Sequence, residues 1–416
     1  MSTRSASWFR RADPPAAALA TVVAVAGFFV SWIVLHHGIY TRDQVVDTPV
    51  YKKYGDWMAE GLVPYRDFRP EYPPGALPVF VLPSLPGEQP PTFERYRSIF
   101  EGLMAACGAA ALALMGWTLW SLGAGSRRLA LALGFAALAP LAVGSVVLSR
   151  FDLWPAALTA AALAAFVAGR DRTGAAVLGV AVAAKIYPGV LVPLLGVWLW
   201  RRRGRPATLA CAGIFAAVVA ACFVPFLALA PDGVAASLGR QLSRPLQIES
   251  LGAAALLAAD HLGGAAVTME SSHGSQNVAG TRGDVVGILQ TLVQALVLVG
   301  VWVMFARGDM TRERLIRFAA ASVVAFVAFG KVLSPQFLIW LVPLVPLVAG
   351  RRGFAASGLL AVSLVLTQSW FPFRYWDYAL TFDETVSWVV LARDLVLVAT
   401  LAALVWSAGD GRQRAT

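Results

Sequence analysis

Apolar stretches long enough to cross a lipid bilayer recur along nearly the whole chain. A transmembrane helix needs about 20 apolar residues to cross a hydrocarbon layer about 30 Å thick. The pattern predicts an all-α polytopic membrane protein, because a soluble protein does not repeat such stretches from end to end. The predicted spans lie near 16–36, 99–122, 130–148, 153–169, 206–230, 283–305, 315–330, 337–350, 354–370 and 386–406.

One further apolar stretch, between Thr173 and Arg201, is interrupted at its middle by Lys185 and Pro188. Basic loops flank it on both sides, so it must enter and leave the membrane on the same side, yet it is too short for two full spans. Broken helices occur at membrane depth where the backbone lines a cavity. We predict two short half-helices that meet near 185–188, which gives about 12 hydrophobic helices in all.

The composition supports a membrane protein without a separate soluble domain. Of 416 residues, 58% are hydrophobic and only 14% are charged. A soluble chain of this length buries a core with far fewer apolar residues, so the excess requires lipid as its solvent. We therefore treat 1–416 as one transmembrane domain with two long loops, at 37–98 and 231–282.

The net charge of +10 indicates topology rather than nucleic-acid binding. Basic residues gather in the two tails and in alternate short loops, as cytoplasmic segments do. Both termini are therefore predicted to be cytoplasmic, in a multi-pass protein of the cell membrane, and the two long loops to be external. The clustered residues are Arg4, Arg10, Arg11, Arg127, Arg128, Arg170, Arg172, Arg201, Arg202, Arg203, Arg205, Arg307, Arg312, Arg314, Arg317, Arg351, Arg352, Arg412 and Arg414.

Polar side chains concentrate on the predicted external side, which carries all four histidines and most of the acidic residues. The three cysteines lie in apolar segments, with no spacing typical of a disulfide framework or a zinc site. The chain has no phosphate-binding loop, dinucleotide fingerprint or zinc-protease motif. We expect no metal and no cofactor.

The segment 47–58 in the first external loop is typical of an amphipathic helix at the membrane interface. Tyr51, Tyr54 and Trp57 belong to an apolar stripe at helical spacing. Asp47 stands at the start of this helix, and two roles are open for it. It could act in catalysis, or it could simply cap the helix, which is an ordinary task for an aspartate before Thr-Pro.

Lysine is scarce, and two of the four lysines interrupt apolar segments, at Lys185 and Lys331. A cation at membrane depth is costly and indicates function, although a lysine can also extend to the outer interface. Arg150 and Asp152 stand at the start of a span and could pair with each other. Cations that converge on an outer cavity would suit the phosphate or pyrophosphate of a lipid.

Several of these motifs, in this order, resemble glycosyltransferase family 87, which includes polyprenol-phosphate-mannose-dependent α-1,2-mannosyltransferases. The most distinctive is the Tyr-Pro-Pro-Gly element that follows Glu71. The matching motifs are Asp47 with Val50-Tyr51, Tyr65-Arg66-Asp67-Phe68, Glu71-Tyr72-Pro73-Pro74-Gly75-Ala76-Leu77-Pro78, Arg150-Phe151-Asp152-Leu153, Lys185-Ile186-Tyr187-Pro188 and Lys331-Val332-Leu333-Ser334-Pro335-Gln336.

The resemblance implies a GT-C fold with an extracytoplasmic active site in the first external loop. It implies an inverting, metal-independent transfer of a sugar, mannose above others, from a polyprenyl-phosphate donor to a lipid or lipoglycan acceptor. Asp47 is the implied base, with Asp43 as the alternative. The implied residues for the donor phosphate are Lys185, Lys331, Arg150 and His273, and those for substrate are Asp43, Glu71, Tyr72 and Gln336.

Two other functions remain open at this point. The donor could carry another sugar, such as arabinose, on the same lipid phosphate. The protein could instead be a lipid or solute transporter with a charged central cavity. Transporters that work by alternating access usually contain internal repeats. The absence of a convincing repeat and the one-sided distribution of polar residues favour the enzyme.

Overall fold

The computed structural model describes residues 12–85, 87, 90–264 and 266–406. The arginines of the two tails, on which the predicted cytoplasmic termini partly depend, lie outside the described residues. They are Arg4, Arg10, Arg11, Arg412 and Arg414.

The described chain is mostly helical, as the apolar pattern predicts. The α-helices are α1 (Pro14–Val34), α2 (Thr48–Ala59), α3 (Leu77–Val81), α4 (Phe93–Ser121), α5 (Ser126–Val143), α6 (Val146–Ser149), α7 (Leu153–Val167), α8 (Asp171–Ala184), α9 (Val192–Leu229), α10 (Pro231–Leu242), α11 (Leu251–Gly263), α12 (Gly280–Ala306), α13 (Arg312–Ala328), α14 (Gly350–Gln368), α15 (Tyr375–Thr381) and α16 (Glu384–Val405).

Short 3₁₀ helices and one β-hairpin complete the structure of the described residues. The 3₁₀ helices are Gly38–Thr41, Pro74–Ala76, Leu82–Ser84, Tyr187–Leu191, Pro335–Trp340 and Val345–Leu347. Strands β1 (Met269–Ser272) and β2 (Ser275–Val278) are antiparallel, with Met269 opposite Val278.

Within the described residues, 6 helical segments are long and apolar enough to cross a membrane. They are α1, α4, α5, the segment Tyr187–Leu229, α12 and α16. The remaining predicted spans correspond to helices that are shorter or less apolar, or to interrupted segments. The multi-pass architecture is thus confirmed, whereas a count of about 12 crossing helices is not.

The predicted break near Lys185 is confirmed. Helix α8 ends at Ala184, and Lys185 has an extended backbone with φ −159° and ψ 141°. Pro188 lies at the start of the following 3₁₀ helix, where its missing N–H costs no helical hydrogen bond. The chain then enters α9, which bends at Gly204, where φ is +80°.

The segment 337–350 does not form the single span that its apolar composition predicts. It contains the end of one 3₁₀ helix, a series of turns and the 3₁₀ helix Val345–Leu347. Pro343 and Pro346 explain the difference, because a proline inside an α-helix removes a backbone hydrogen bond and collides with the preceding turn.

The centre of the bundle is formed by α13, which is buried along most of its length and packs against α12 and α16. Helix α7 packs against α4 and α8, and α1 packs against α4 and α5. In α16, Arg393 Nε lies 2.6 Å from Asp394 Oδ1, and both side chains are fully buried. These two adjacent opposite charges therefore pair with each other inside the last helix.

The two long loops pack against each other. Ser237 Oγ donates a hydrogen bond to the Pro70 carbonyl at 2.8 Å, and Gln241 Nε2 donates one to the Glu71 carbonyl at 2.9 Å. Both donors lie on α10 in the second loop, and both acceptors lie in the first. A side chain at Gly233 would overlap the Tyr65 carbonyl, so glycine permits this close approach. Residues from both loops can therefore contribute to one site.

Candidate active site

Asp47 precedes α2, but its carboxylate makes no capping hydrogen bond to that helix. It forms an ion pair with the Arg150 guanidinium instead. Tyr51, one turn further along α2, directs its hydroxyl toward Asp47 Oδ2 at 3.4 Å. The interpretation of Asp47 as a simple helix cap is therefore wrong. The side chain keeps an exposed fraction of 32%, so a substrate can reach it.

Arg150 is the buried partner in this ion pair, with a side chain only 7% exposed. It lies between α6 and α7, and Nη2 is 3.4 Å from the Val45 carbonyl, just before Asp47. The expected local pairing of Arg150 with Asp152 is wrong, because Asp152 pairs elsewhere. Arg150 instead ties the start of α2 to the bundle and fixes the Asp47 carboxylate.

Asp152 and Lys185 form a second ion pair, with Lys185 Nζ 2.6 Å from Asp152 Oδ1. Trp340 Nε1 donates to the same oxygen at 2.6 Å. Asp152 is 1% exposed and Lys185 is 17% exposed. The ammonium also lies 4.6 Å from the centroid of the Phe151 ring and 4.9 Å from that of Trp340. Lys185 is thus held in an ion pair between aromatic rings and does not project freely into solvent.

The Tyr-Pro-Pro-Gly loop packs onto the backbone segment that joins these two ion pairs. The Tyr72 ring lies 5.0 Å from the Phe151 ring and 5.6 Å from Tyr51. Trp154 Nε1 donates to the Gly75 carbonyl at 3.1 Å. A Cβ at Gly75 would lie 2.6 Å from the backbone of Ala183, just before Lys185, so only glycine fits. Asp47, Tyr72, Arg150 and Lys185 therefore belong to one site.

Glu71 and His273 come together from different loops. His273 and Gly274 form the turn between β1 and β2, with φ of +55° and +70°. A Cβ built on Gly274 would lie 3.3 Å from the Glu71 carboxylate, so the turn contacts Glu71 closely. His273 Nδ1 is buried and has no hydrogen-bond partner among the described residues.

Lys331 borders this region from the segment that follows α13. Its Nζ donates to the Leu242 carbonyl at 3.3 Å, and its own carbonyl accepts from Gln247 N at 2.9 Å. Gln336 lies half-buried in the 3₁₀ helix Pro335–Trp340, beside Phe337.

Asp43 is exposed, has φ +45° and forms no ion pair with a described residue. The structure therefore distinguishes the two candidate bases, because Asp47 contacts Arg150 and Asp43 does not.

Glu249 is a site residue that the sequence analysis did not identify. It is 1% exposed; Oε2 accepts from Gln247 Nε2 at 2.7 Å, and Oε1 has no partner among the described residues. Burial raises the pKa of Glu249 to about 8, against the opposing effect of the Arg393 and Arg150 charges. The signal available in the sequence was an acidic residue that follows the apolar Leu246 and Ile248 in the second external loop.

No group of three or more His, Cys, Asp or Glu side chains able to hold a metal ion occurs in the described part of the chain. The site instead combines carboxylates with cations. A half-exposed carboxylate with a fixed orientation can accept a proton, and nearby cations can stabilise an anion. This combination suits the transfer of a group away from a phosphate.

The sequence profile of glycosyltransferase family 87 matches residues 71–335, more than half of the chain. The matched region includes Glu71, Arg150, Lys185, His273 and Lys331. It begins after Asp47 and Asp43 and ends one residue before Gln336. No curated protein matches the chain.

Proposed function

Because the chain belongs to glycosyltransferase family 87 and is a membrane glycosyltransferase, we propose that it transfers a sugar from a polyprenyl-phosphate donor to a lipid or lipoglycan hydroxyl. The proposed sugar is mannose, since the matching motifs resemble those of mannose-transferring members. Transfer inverts the configuration at the anomeric carbon and takes place on the extracytoplasmic face of the cell membrane.

Asp47 is the proposed general base. The acceptor oxygen attacks the anomeric carbon while the bond from that carbon to the phosphate oxygen breaks on the opposite face. The hydroxyl proton passes to the Asp47 carboxylate, and the polyprenyl phosphate leaves as an anion. The observation that carries this proposal is the half-exposed Asp47 carboxylate fixed by the buried Arg150.

Lys185, Lys331, Arg150 and His273 are proposed to stabilise the leaving phosphate. Charge develops on that group as the bond breaks, and fixed cations stabilise the transition state more than the ground state. Glu71, Tyr72 and Gln336 are proposed to contact the sugar or the acceptor. Support comes from the packing of Tyr72 on Phe151 and from the contact between Glu71 and the Gly274 turn.

The proposed topology is a single transmembrane domain, 1–416, with both termini cytoplasmic and with loops 37–98 and 231–282 outside. The hydrogen bonds between Gln241 and Glu71 and between Ser237 and Pro70 support the placement of both loops on one face of the membrane. The distribution of arginines in the short loops supports the opposite face as cytoplasmic. In this arrangement helix α2 lies at the outer membrane interface.

The test is Asp47→Asn, with Asp43→Asn as the matched control in the same loop. Asn has the size of Asp, its oxygen can still accept from Arg150, and position 47 is 32% exposed to water, so Asp47→Asn should fold and bind donor. Its rate of transfer should fall by about 10²–10⁴-fold, the usual contribution of general-base assistance. Asp43→Asn keeps the proposed base, so its rate of transfer should fall far less. The assignment is refuted by an active Asp47→Asn variant, and an inactive Asp43→Asn beside it would move the base to Asp43.

A further inference from the structure

The segment 241–247, which includes the end of α10 and the residues that follow it, forms hydrogen bonds with elements of the site on both sides. Gln241 Nε2 donates to the Glu71 carbonyl at 2.9 Å. The Leu242 carbonyl accepts from Lys331 Nζ at 3.3 Å, and Gln247 N donates to the Lys331 carbonyl at 2.9 Å. Arg244 lies between these attachments, so the segment holds its side chain between the Tyr-Pro-Pro-Gly loop and Lys331.

Arg244 belongs to a group of like charges. Its positive charge acts on both Lys185 and Lys331, so the three cations lie close together. In the described part of the chain only Lys185 among them has a carboxylate at ion-pair distance, namely Asp152. Like charges repel strongly where water is partly excluded, so Arg244 and Lys331, which have no ion-pair partner among the described residues, would be stabilised by a bound anion.

The guanidinium of Arg244 has a buried donor that the described residues do not satisfy. Its Nε is buried and has no hydrogen-bond partner among the described residues. Glu71 and Glu249 attract the charge, but neither carboxylate reaches Arg244 at ion-pair distance. A buried donor without a partner is costly, and a bound anion would satisfy it. The planar guanidinium donates to two oxygens at once, which suits a phosphate.

We infer that Arg244, together with Lys331, binds the phosphate of the polyprenyl-phosphate leaving group. This inference rests on the proposed function and adds a contact to it. Two oxygens of the phosphate accept from the guanidinium of Arg244, while the Lys331 ammonium supplies a second positive charge. The segment 241–247 then connects the phosphate site to Glu71, because the same stretch of backbone carries Arg244 and holds the Glu71 carbonyl through Gln241.

The experiment measures binding of decaprenyl phosphate to the purified full-length protein in detergent, with decaprenol as the uncharged probe. Arg244→Gln should weaken binding of decaprenyl phosphate about 10- to 100-fold, the range expected for charge-assisted hydrogen bonds, and should leave decaprenol binding unchanged. Arg244→Lys keeps the charge without the planar fork and should give an intermediate affinity. Arg240→Gln, at an exposed position one turn earlier on α10, is the control and should bind as the wild type does.

Wild-type affinity for decaprenyl phosphate in Arg244→Gln, with wild-type sugar transfer, overturns the inference and leaves the proposed function standing. A wild-type protein that neither binds decaprenyl phosphate nor transfers sugar from a polyprenyl-phosphate donor overturns the proposed function and the inference with it. If Arg244→Gln fails to fold, Arg244→Lys decides: equal affinity in Arg244→Lys and the wild type also overturns the role of the guanidinium.

Discussion

Removal of one charge from the Lys185–Asp152 pair should destabilise the protein far more than removal of both. Asp152 is 1% exposed, and its Oδ1 accepts from both Lys185 and Trp340 at 2.6 Å. In Asp152→Asn the Lys185 ammonium stays in its aromatic surroundings without a countercharge. Loss of one partner from a buried pair costs roughly 3–5 kcal/mol. Asn keeps an oxygen that can accept from Trp340, so the fall in stability measures the effect of the missing charge alone.

The double variant Asp152→Asn with Lys185→Met separates stability from function. Neither charge remains, and Met fills the space between the aromatic rings, so its stability should return to within about 1 kcal/mol of the wild type. Thermal unfolding in detergent measures this as a cycle of two single variants and one double variant. Arg203→Gln is the control, because its pair with Asp171 at the other end of α8 is half exposed and should contribute less than about 1 kcal/mol.

Donor binding in the same variants tests the role of Lys185. If Lys185 contacts the donor phosphate, the double variant should be stable but should bind polyprenyl-phosphate sugar weakly. A stable double variant with wild-type donor affinity would show that Lys185 only balances the charge of Asp152. Equal stability of Asp152→Asn and the wild type would refute the energetic argument.

Other features of the structure give further expectations. Burial raises the pKa of Glu249 from 4.5 to about 8, so its contribution to stability is complete below about pH 4.5 and is lost as the pH rises through about 8. Unfolding free energy should therefore fall by up to roughly 1.4 kcal/mol per pH unit between these values, and Glu249→Gln should abolish this dependence in thermal melts at several pH values; an unchanged slope would contradict it. Gly75→Ala should cost about 1–3 kcal/mol, because its Cβ would overlap the backbone of α8; an unchanged melting temperature in the purified variant would disprove the close contact. Cysteines at Gly61 and Val332, in a background without native cysteines, should react with an impermeant thiol reagent on intact cells, and labelling at 201–205 instead would invert the topology.

The sequence predicted those parts of the site whose signals are local. The apolar stripe of α2 and the break at Lys185 can both be recognised from a few neighbouring residues in the sequence. Proline positions could also have corrected the single span expected at 337–350, because Pro343 and Pro346 interrupt it. The apolar composition of 337–350 favoured a single span more strongly than the two prolines argued against it, and the predicted span was wrong.

The partners of the charged residues could not be read from the sequence. Arg150 and Asp152 are two residues apart, which suggested a pair, yet each forms its ion pair with a residue distant in the chain. Such contacts depend on how the elements pack together. Arg244 and Glu249 escaped notice for the same reason, because only the folded chain brings them beside Lys331 and Arg150.

The most direct test of the central claim is sugar transfer by the purified protein in liposomes with a lipid acceptor fraction. Radiolabelled polyprenyl-phosphate mannose and a labelled nucleotide-linked mannose are supplied in parallel, and the label in the acceptor is measured. Label should pass from polyprenyl-phosphate mannose alone, with inverted configuration, and Asp47→Asn should abolish this transfer. Transfer from the nucleotide-linked sugar alone, or undiminished transfer by Asp47→Asn, would refute the proposed donor or the proposed base.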